Sequence, residues 1–431
     1  MTRRLALVLC ALIATAIVSR AHDASAQRPT VRPSRRARVL VIDSVTVIDV
    51  AKRRLAPAQR VVIRGDSIVA VQGMSAPLPD TIDERLNGDG AFAIPGLTDH
   101  HVHLTPGMEG MLAQAARGGV TMVQAMAGDN RTAGEMARKV IARELDGPEI
   151  AYASVMAGPG FFIDPRFSAA GVGFANGTAP WAQAVTAQTD IVRAVALARG
   201  SGAEVLKLYA MIDSELVARL TTEAHKQGMR VAAHGTVFPA RPLQLVQGGV
   251  DLLTHAPYLA WQGAATVRDE DAWDRRAGPF ATVPADGPQI TALLRAMKSA
   301  GTYFEPTLFV FGRRPEERDV NAWGALVTRK ARDAGVPIIA GTDGLIESDA
   351  SALPNIHREM QALVAAGLTA PEALAAATVT AAREMHREHT HGVIAPGHVA
   401  DIVLLVANPL LDISATTHIR QVVLRGKVLK H

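Results

Sequence analysis

From about residue 94 to residue 344 the chain alternates short apolar runs with alanine-rich stretches of helical spacing. The runs are AIPGLTDHHVHL, GVTMVQAMAG, EIAYASVMAG, AEVLKLYA, MRVAAHGT, VDLLTHAP, TYFEPTLFV and VPIIAGTDG. Strands joined through helices re-enter a sheet from the same end and so pair in parallel. Eight such units fit a closed parallel barrel, whose usual size is about 250 residues. The expected fold class is therefore α/β, with a (β/α)8 TIM barrel over residues 94–388. VLVIDSVTVID and RVVIRGDSIVAV precede it, and ADIVLLVANP and IRQVVLRGKVL follow it. These β-branched runs, broken by Gly, Asp and Asn, read as strands and turns. Residues 39–93 and 389–431 are expected to join into one small flanking β-sandwich domain.

The first residues belong to another category. Thr2-Arg3-Arg4 leads into LALVLCALIATAIV, and Ala24-Ser25-Ala26 supplies a small-residue cleavage site. The apolar run is shorter than the ~20 residues a membrane span needs. Residues 1–26 thus read as an export signal removed before Gln27, and the protein as periplasmic or secreted without stable membrane insertion. Residues 27–38 form a Pro/Arg-rich leader. Cys10, the only cysteine, falls in the signal, so neither disulfides nor thiolate ligands serve the mature chain. The first 38 residues also hold eight arginines against one acid. The remainder is slightly acidic, which argues against a general nucleic-acid surface.

Polar residues interrupt the apolar runs at their C-terminal ends, where barrel active sites lie. Alternation along an extended chain puts His101 and His103 on one face and sends His100 to the other. Lys207 and Tyr209 share a face near the end of the fourth run. His234, His255 and Asp343 close the fifth, sixth and eighth. Any one of these could be an ordinary hydrogen-bonded strand end; together they point to a shared site. Four imidazoles and a carboxylate suit a borderline divalent ion such as Zn²⁺. Lys207 fits if burial strips its proton and the amine captures carbon dioxide as a carbamate. The alternative is an unmodified lysine paired with Asp343 or with a substrate carboxylate.

IPGLTDHHVHL, the fourth-run lysine, the two single histidines and GTD resemble the amidohydrolase superfamily. The likeness is to its imidazolonepropionase-like and Xaa-Pro (Xaa-Arg) dipeptidase-like branch. The tail, NIHREMQALVAAGLTAPEALAAATVTAAREM followed by HGVIAPGHVADIVLLVANPL, is similar to that branch as well. The resemblance runs from about Val39 to Val428. It implies two divalent metal ions: one on His101, His103 and Asp343, one on His234 and His255, with carboxylated Lys207 bridging them. It also implies amide hydrolysis by a hydroxide held between the ions. Asp343 would take the proton and pass it to the leaving amine, with Tyr209 assisting at the oxyanion. Phe304-Glu305-Pro306-Thr307 is similar to the family's seventh-strand segment and receives no chemical role. His100 reads as packing or as support for the ligands. His225 is read as structural, and His389 and His391 as surface. His357 and Glu359 open the helix after the eighth strand, as an ordinary first turn or as support for the site.

Two long loops, GPGFFIDPRFSAAGVGFANGTAPW and YLAWQGAATVRDEDAWDRRAGPFATV, hold much of the chain's aromatic content. They suggest an apolar or aromatic subsite, with Arg275 or Arg276 holding a carboxylate and Tyr209 also facing substrate. The expected function is hydrolysis of a small amide, a dipeptide or an N-acyl amino acid. Opening of a cyclic amide and a non-catalytic binding barrel are the alternatives. A homo-oligomer is compatible with the sequence.

Overall fold

The computed structural model describes residues 36–163, 170–267, 278–313, 317–347 and 353–430. The residues read as an export signal, most of those read as the leader, Arg275 and Arg276 lie outside the described residues.

The flanking part is one mixed sheet. Its N-terminal strands are β1 (Val39–Asp49), β2 (Arg54–Arg64), β3 (Ser67–Gly73), β4 (Glu84–Asn87) and β5 (Phe92–Pro95). β1 is antiparallel to β2 and parallel to both β4 and β5. The chain end returns as Ile402–Leu405, which pairs antiparallel with β5, Pro95 opposite Ile402. Ile419–Leu424 and Lys427–Val428 extend the same sheet. The expected sandwich is thus a single hydrogen-bonded sheet. The returning strands take the edge of β5 instead of stacking above it as a second layer. Leu40, Ile42, Ala93, Ile402 and Leu404 meet in its core.

β5 runs through Gly96 directly into the second sheet. That sheet holds β6 (Leu97–Leu104), β7 (Val120–Gly128), β8 (Glu149–Ala157), a short hairpin β9 (Thr178–Ala179) and β10 (Ala182–Ala184), then β11 (Val205–Leu208), β12 (Arg230–His234), β13 (Leu252–Thr254) and β14 (Tyr303–Glu305). The ladders β6–β7–β8–β11–β12–β13–β14 are all parallel. Their near-continuous burial, complete in β11, β12 and β13, is that of strands covered on both faces. Helices between them start on aspartate caps: Asp129, Asp190 and Asp213 each accept a backbone N–H of the first turn.

Residues 337–340 bring the sheet back to its beginning. Phe304 N–H donates to Pro337 O and Ile339 N–H to Phe304 O, both at 2.9 Å, while His100 N–H donates to Ala340 O at 3.1 Å. The expected eighth strand is only a bridge at Ile338. Pro337 has no N–H to give, and the Ala340 N–H is taken by Ala376 O. The result is a curled, TIM-barrel-like parallel sheet.

Gly96 couples the two sheets. A Cβ there would lie 2.0 Å from Thr121 Oγ1 and 2.5 Å from its Cγ2, and Thr121 is buried. Gly96→Ala should lower the unfolding free energy by about 1–3 kcal/mol through overpacking. Chemical denaturation reads this directly, and an unchanged midpoint would mean that the junction has slack.

Candidate metal centre

His101 and His103 stand near the end of β6, and Asp343 follows the closing segment. One donor atom from each lies within 4.8 Å of the others. His103 Nε2 is 2.9 Å from Asp343 Oδ1, and His101 Nε2 is 3.6 Å from the same oxygen. The second half of the site comes from the next strands. His255 packs 5.0 Å from His101 and 4.7 Å from His234, centroid to centroid. Tyr209 stacks on His234 at 4.4 Å and 18°. Lys207 is 1% exposed, and its Nζ donates to Thr254 Oγ1 at 2.9 Å. All the described residues expected at the site therefore meet at one end of the barrel.

Each imidazole has its Nδ1 engaged. His101 Nδ1–H donates to Glu305 Oε1 (2.5 Å) and His103 Nδ1–H to Ala127 O (3.3 Å). His234 meets Thr236 Oγ1 at 2.6 Å, and His255 meets Thr307 Oγ1 at 2.8 Å. Such partners fix ring orientation, and for His101 and His103, whose Nδ1 faces an oxygen acceptor, they leave Nε2 as the nitrogen able to ligate. Burial, reinforced by the neighbouring His234 and His101, holds His255 well below its ordinary range and so neutral. Burial works to raise the Asp343 pKa. The His103 hydrogen bond, with the His101 and His103 rings close by, overcomes it and holds the carboxyl well below its usual range. Burial opposes a charge on His103, but its hydrogen bond to Asp343 and that carboxylate's charge raise its pKa, so its Nε2 proton is the one a cation would displace. A neutral His255 and an ionised Asp343 are already in the forms a divalent cation requires, and the donor set fits such an ion. Burial also lowers Lys207 to about 8, against the opposing charges of Glu305 and Asp343. A fraction of it is therefore a neutral amine near neutral pH.

Behind the ligands lies a layer that the sequence did not disclose. Glu305 is fully buried and holds His101 through Oε1 and His100 through Oε2 (2.7 Å). His100 Nε2 meets Glu384 Oε2 at 2.6 Å, and Arg230 donates to that oxygen at 2.5 Å and to Gln124 at 3.0 Å. His100 is thus the middle of a charge chain and not simple packing. Two neighbouring rings reach one carboxylate because β6 bulges. From Asp99 to Val102 it advances three residues while β7 advances two, Val123 to Ala125. Burial opposes a charge on His100, but Glu384 and Glu305 raise its pKa to about 9. Burial would raise Glu305, yet His101 and His100 pull it down to about 2.

Two more buried carboxylates brace the loops. Asp99 accepts from Thr342 Oγ1 (2.7 Å), Thr342 N–H (3.1 Å) and His101 N–H (3.2 Å). Glu359, read from sequence as a first helical turn or a supporting residue, is fully buried and accepts from two backbone N–H groups after Thr307. Burial pushes it up to about 8. His255, Thr307 and Asp343 all have positive φ, at 72°, 51° and 55°. Gly341 lets Asp343 approach, since a Cβ there would be 2.7 Å from Glu305 Oε2 and 2.8 Å from His101 Cβ. His391, read as surface, has a side chain only 8% exposed, because it folds against Glu149, 3.6 Å away. His389 is exposed, at 92%.

The amidohydrolase family model matches residues 92–429. The chain belongs to the amidohydrolase family. This amidohydrolase is 25% identical over 367 residues to the imidazolonepropionase of a Polaromonas species, covering 79% of the chain and 81% of that protein. It is 38% identical to the imidazolonepropionase of Chromobacterium violaceum over 118 residues, about a quarter of either chain (26%). In fold it is similar to a Xaa-Pro dipeptidase solved with methionine in its active site. That likeness has a TM-score of 0.72 at 20% identity and covers 91% of this chain and 100% of the other. The amidohydrolase family hydrolyses carbon–nitrogen bonds, and His101, His103 and Asp343 supply a metal-ligand set suited to that chemistry.

The charge chain sets a pH dependence. Folded His100 titrates near 9, against about 6.5 in an unfolded chain. The stability its charge contributes is complete below pH 6.5 and is lost as pH rises through 9. In metal-free protein, His100→Gln should cost about 3–5 kcal/mol at pH 6. The gap from wild type should narrow toward pH 9; a gap that is constant with pH would contradict a charged His100.

Proposed function

We propose that this amidohydrolase is an exported enzyme that hydrolyses the amide bond of a dipeptide or N-acyl amino acid, using two divalent metal ions, zinc by preference. The observation that carries this reading is the convergence of His101, His103 and Asp343 within 4.8 Å, with the His255 and His234 rings packed alongside. One ion is assigned to His101, His103 and Asp343, the other to His234 and His255, with Lys207 as a carbamate between them. Bound divalent ions supply Lewis acidity, polarising a carbonyl and acidifying water.

The chain's own residues supply the rest. The ionised Asp343 carboxylate receives the proton of the attacking water and returns it to the leaving nitrogen. Tyr209, whose ring stacks on His234, is assigned to the developing oxyanion. A neutral Lys207 amine adds to carbon dioxide and releases one proton, leaving a carboxylate in place of a cation. Phe161, Phe162, Trp181, Tyr258, Trp261 and Phe311 belong to one apolar cluster, part of which touches His255 and Tyr209. It favours an apolar or aromatic substrate side chain. Arg275 and Arg276 are assigned to a substrate carboxylate on sequence grounds. The methionine bound in the similar dipeptidase supports an amino-acid-sized ligand. The imidazolonepropionase relatives support ring opening of a cyclic amide as the second reading.

Protein purified after growth with zinc should carry about two metal equivalents, and His101→Asn should lose turnover with its fold intact. Less than about one equivalent in wild type would favour a non-catalytic barrel. A panel of dipeptides, N-acyl amino acids and cyclic amides separates the two enzymatic readings, since activity confined to the cyclic compounds would reject the first. Export is checked independently: N-terminal sequencing of the mature protein should begin at Gln27, and a retained Met1 would refute the signal.

A further inference from the structure

Thr307 orients His255 from an unusual position. Its backbone is left-handed, φ 51° and ψ 44°, which for a β-branched residue is a genuine outlier. A residue stays there only where its surroundings over-determine it. On the preceding side, His255 N–H donates to Glu305 O (2.8 Å) and Ala256 N–H to Pro306 O (2.9 Å). On the following side, Leu308 N–H donates to Glu359 Oε1 (3.1 Å) and Phe309 N–H to Glu359 Oε2 (2.7 Å). Glu359 comes from the helix Ile356–Ala366 and is wholly buried.

Burying a carboxyl group to hold two backbone donors is costly, and the helix it holds, Leu308–Gly312, has only five residues. That short helix does not justify the cost; the residue just before it does. Fixing the N–H groups of Leu308 and Phe309 fixes the peptide planes that follow Thr307. With Pro306 O already tied to Ala256, Thr307 is pinned on both sides and its hydroxyl stays at Nδ1 of His255. The same clamp seats Phe311 6.1 Å from His255 and 5.5 Å from Tyr258.

We propose that Glu359 is a positioning residue for the His234/His255 half of the metal centre, acting through the Thr307 hydroxyl on the His255 ring. The inference rests on the two-ion reading above. The other half has its own supports, Glu305 on His101 and Asp99 on Thr342. Loss of the Glu359 clamp should therefore be felt at one ion and spare the other. Glu359→Gln keeps the volume but sets an NH₂ against a backbone N–H. Thr307→Ala removes the hydroxyl, and Thr307→Ser retains it.

Wild type, these three variants and the Glu359→Gln/Thr307→Ala double variant are depleted of metal and titrated with Zn²⁺ against a chromophoric chelator. Circular dichroism checks each fold. Wild type should bind two ions. Glu359→Gln and Thr307→Ala should each weaken one of the two by about 10–100-fold, Thr307→Ser should bind as wild type, and the double variant should be no weaker than the weaker single. Wild-type affinity for both ions in Glu359→Gln and Thr307→Ala would overturn the inference, as would losses that multiply in the double variant. If Glu359→Gln does not fold, the threonine pair decides, and equal binding of both ions by Thr307→Ala and Thr307→Ser overturns it. A folded wild type that binds one ion overturns the two-ion reading itself, and this inference with it.

Discussion

One carboxylate, Glu305, is fully buried and holds two adjacent histidines of one strand at 2.5 and 2.7 Å. An isolated ion at that depth would cost several kcal/mol. It is tolerated because charge alternates away from it: Glu305, His100, Glu384, Arg230. The series runs from the start of β12 to the candidate metal centre, so the groups that neutralise the barrel interior also orient His101. Fold and site share this one interaction. Removing any member leaves its neighbour as a buried, uncompensated charge, and the consequence reaches the ligand whichever end is cut.

The bulge in β6 is what makes the arrangement geometrically open to the chain. In a regular strand His100 and His101 would point to opposite faces. The extra residue between Asp99 and Val102 turns both rings toward β14. Left-handed backbone at His255, Thr307 and Asp343 does the equivalent work at three other strand ends. Each deviation costs energy locally and is held by buried hydrogen bonds from Asp99, Glu359 and the strand ladders. A site assembled this way is preorganised, with little reorganisation left for the moment of reaction.

What the sequence made legible follows from the same physics. His101, His103, Lys207, His234, His255 and Asp343 each break an apolar run where burial makes a polar side chain anomalous, and that anomaly marks position. Glu305 breaks the run TYFEPTLFV in the same manner. Its role stayed hidden because strict alternation sent its partner His100 to the other face, and a bulge leaves no mark in residue types. Glu359 is harder still, since its partners lie about fifty residues away and are backbone N–H groups, identical in every residue but proline. The flanking strands were readable from β-branched runs, but their pairing was not. Whether the chain end stacks on β5 or joins its edge depends on four residues of register, Phe92–Pro95.

The barrel divides its labour around the ring. His101 and His103 on β6, Glu305 on β14 and Asp343 after the closing segment gather acid and imidazole on one side, while Lys207 stands on β11 and Arg230 on β12. The aromatic groups come from the other side. β7 pairs with β8 only as far as Tyr152, and the hairpin β9–β10 then takes the edge that β7 leaves, Ala182–Ala184 alongside Val155–Ala157. This insertion places Trp181 in one cluster with Phe161 and Phe162. Phe161 lies 4.6 Å from Tyr209, and Tyr209 lies 4.4 Å from His234. A run of rings thus leads from an inserted hairpin to His234 without crossing the Glu305 network. Changes in the hairpin can reshape the wall a substrate meets while the charged side stays fixed. That separation follows from where the groups stand, since the hairpin is carried on a loop while His101, Glu305 and Asp343 are anchored at strand ends.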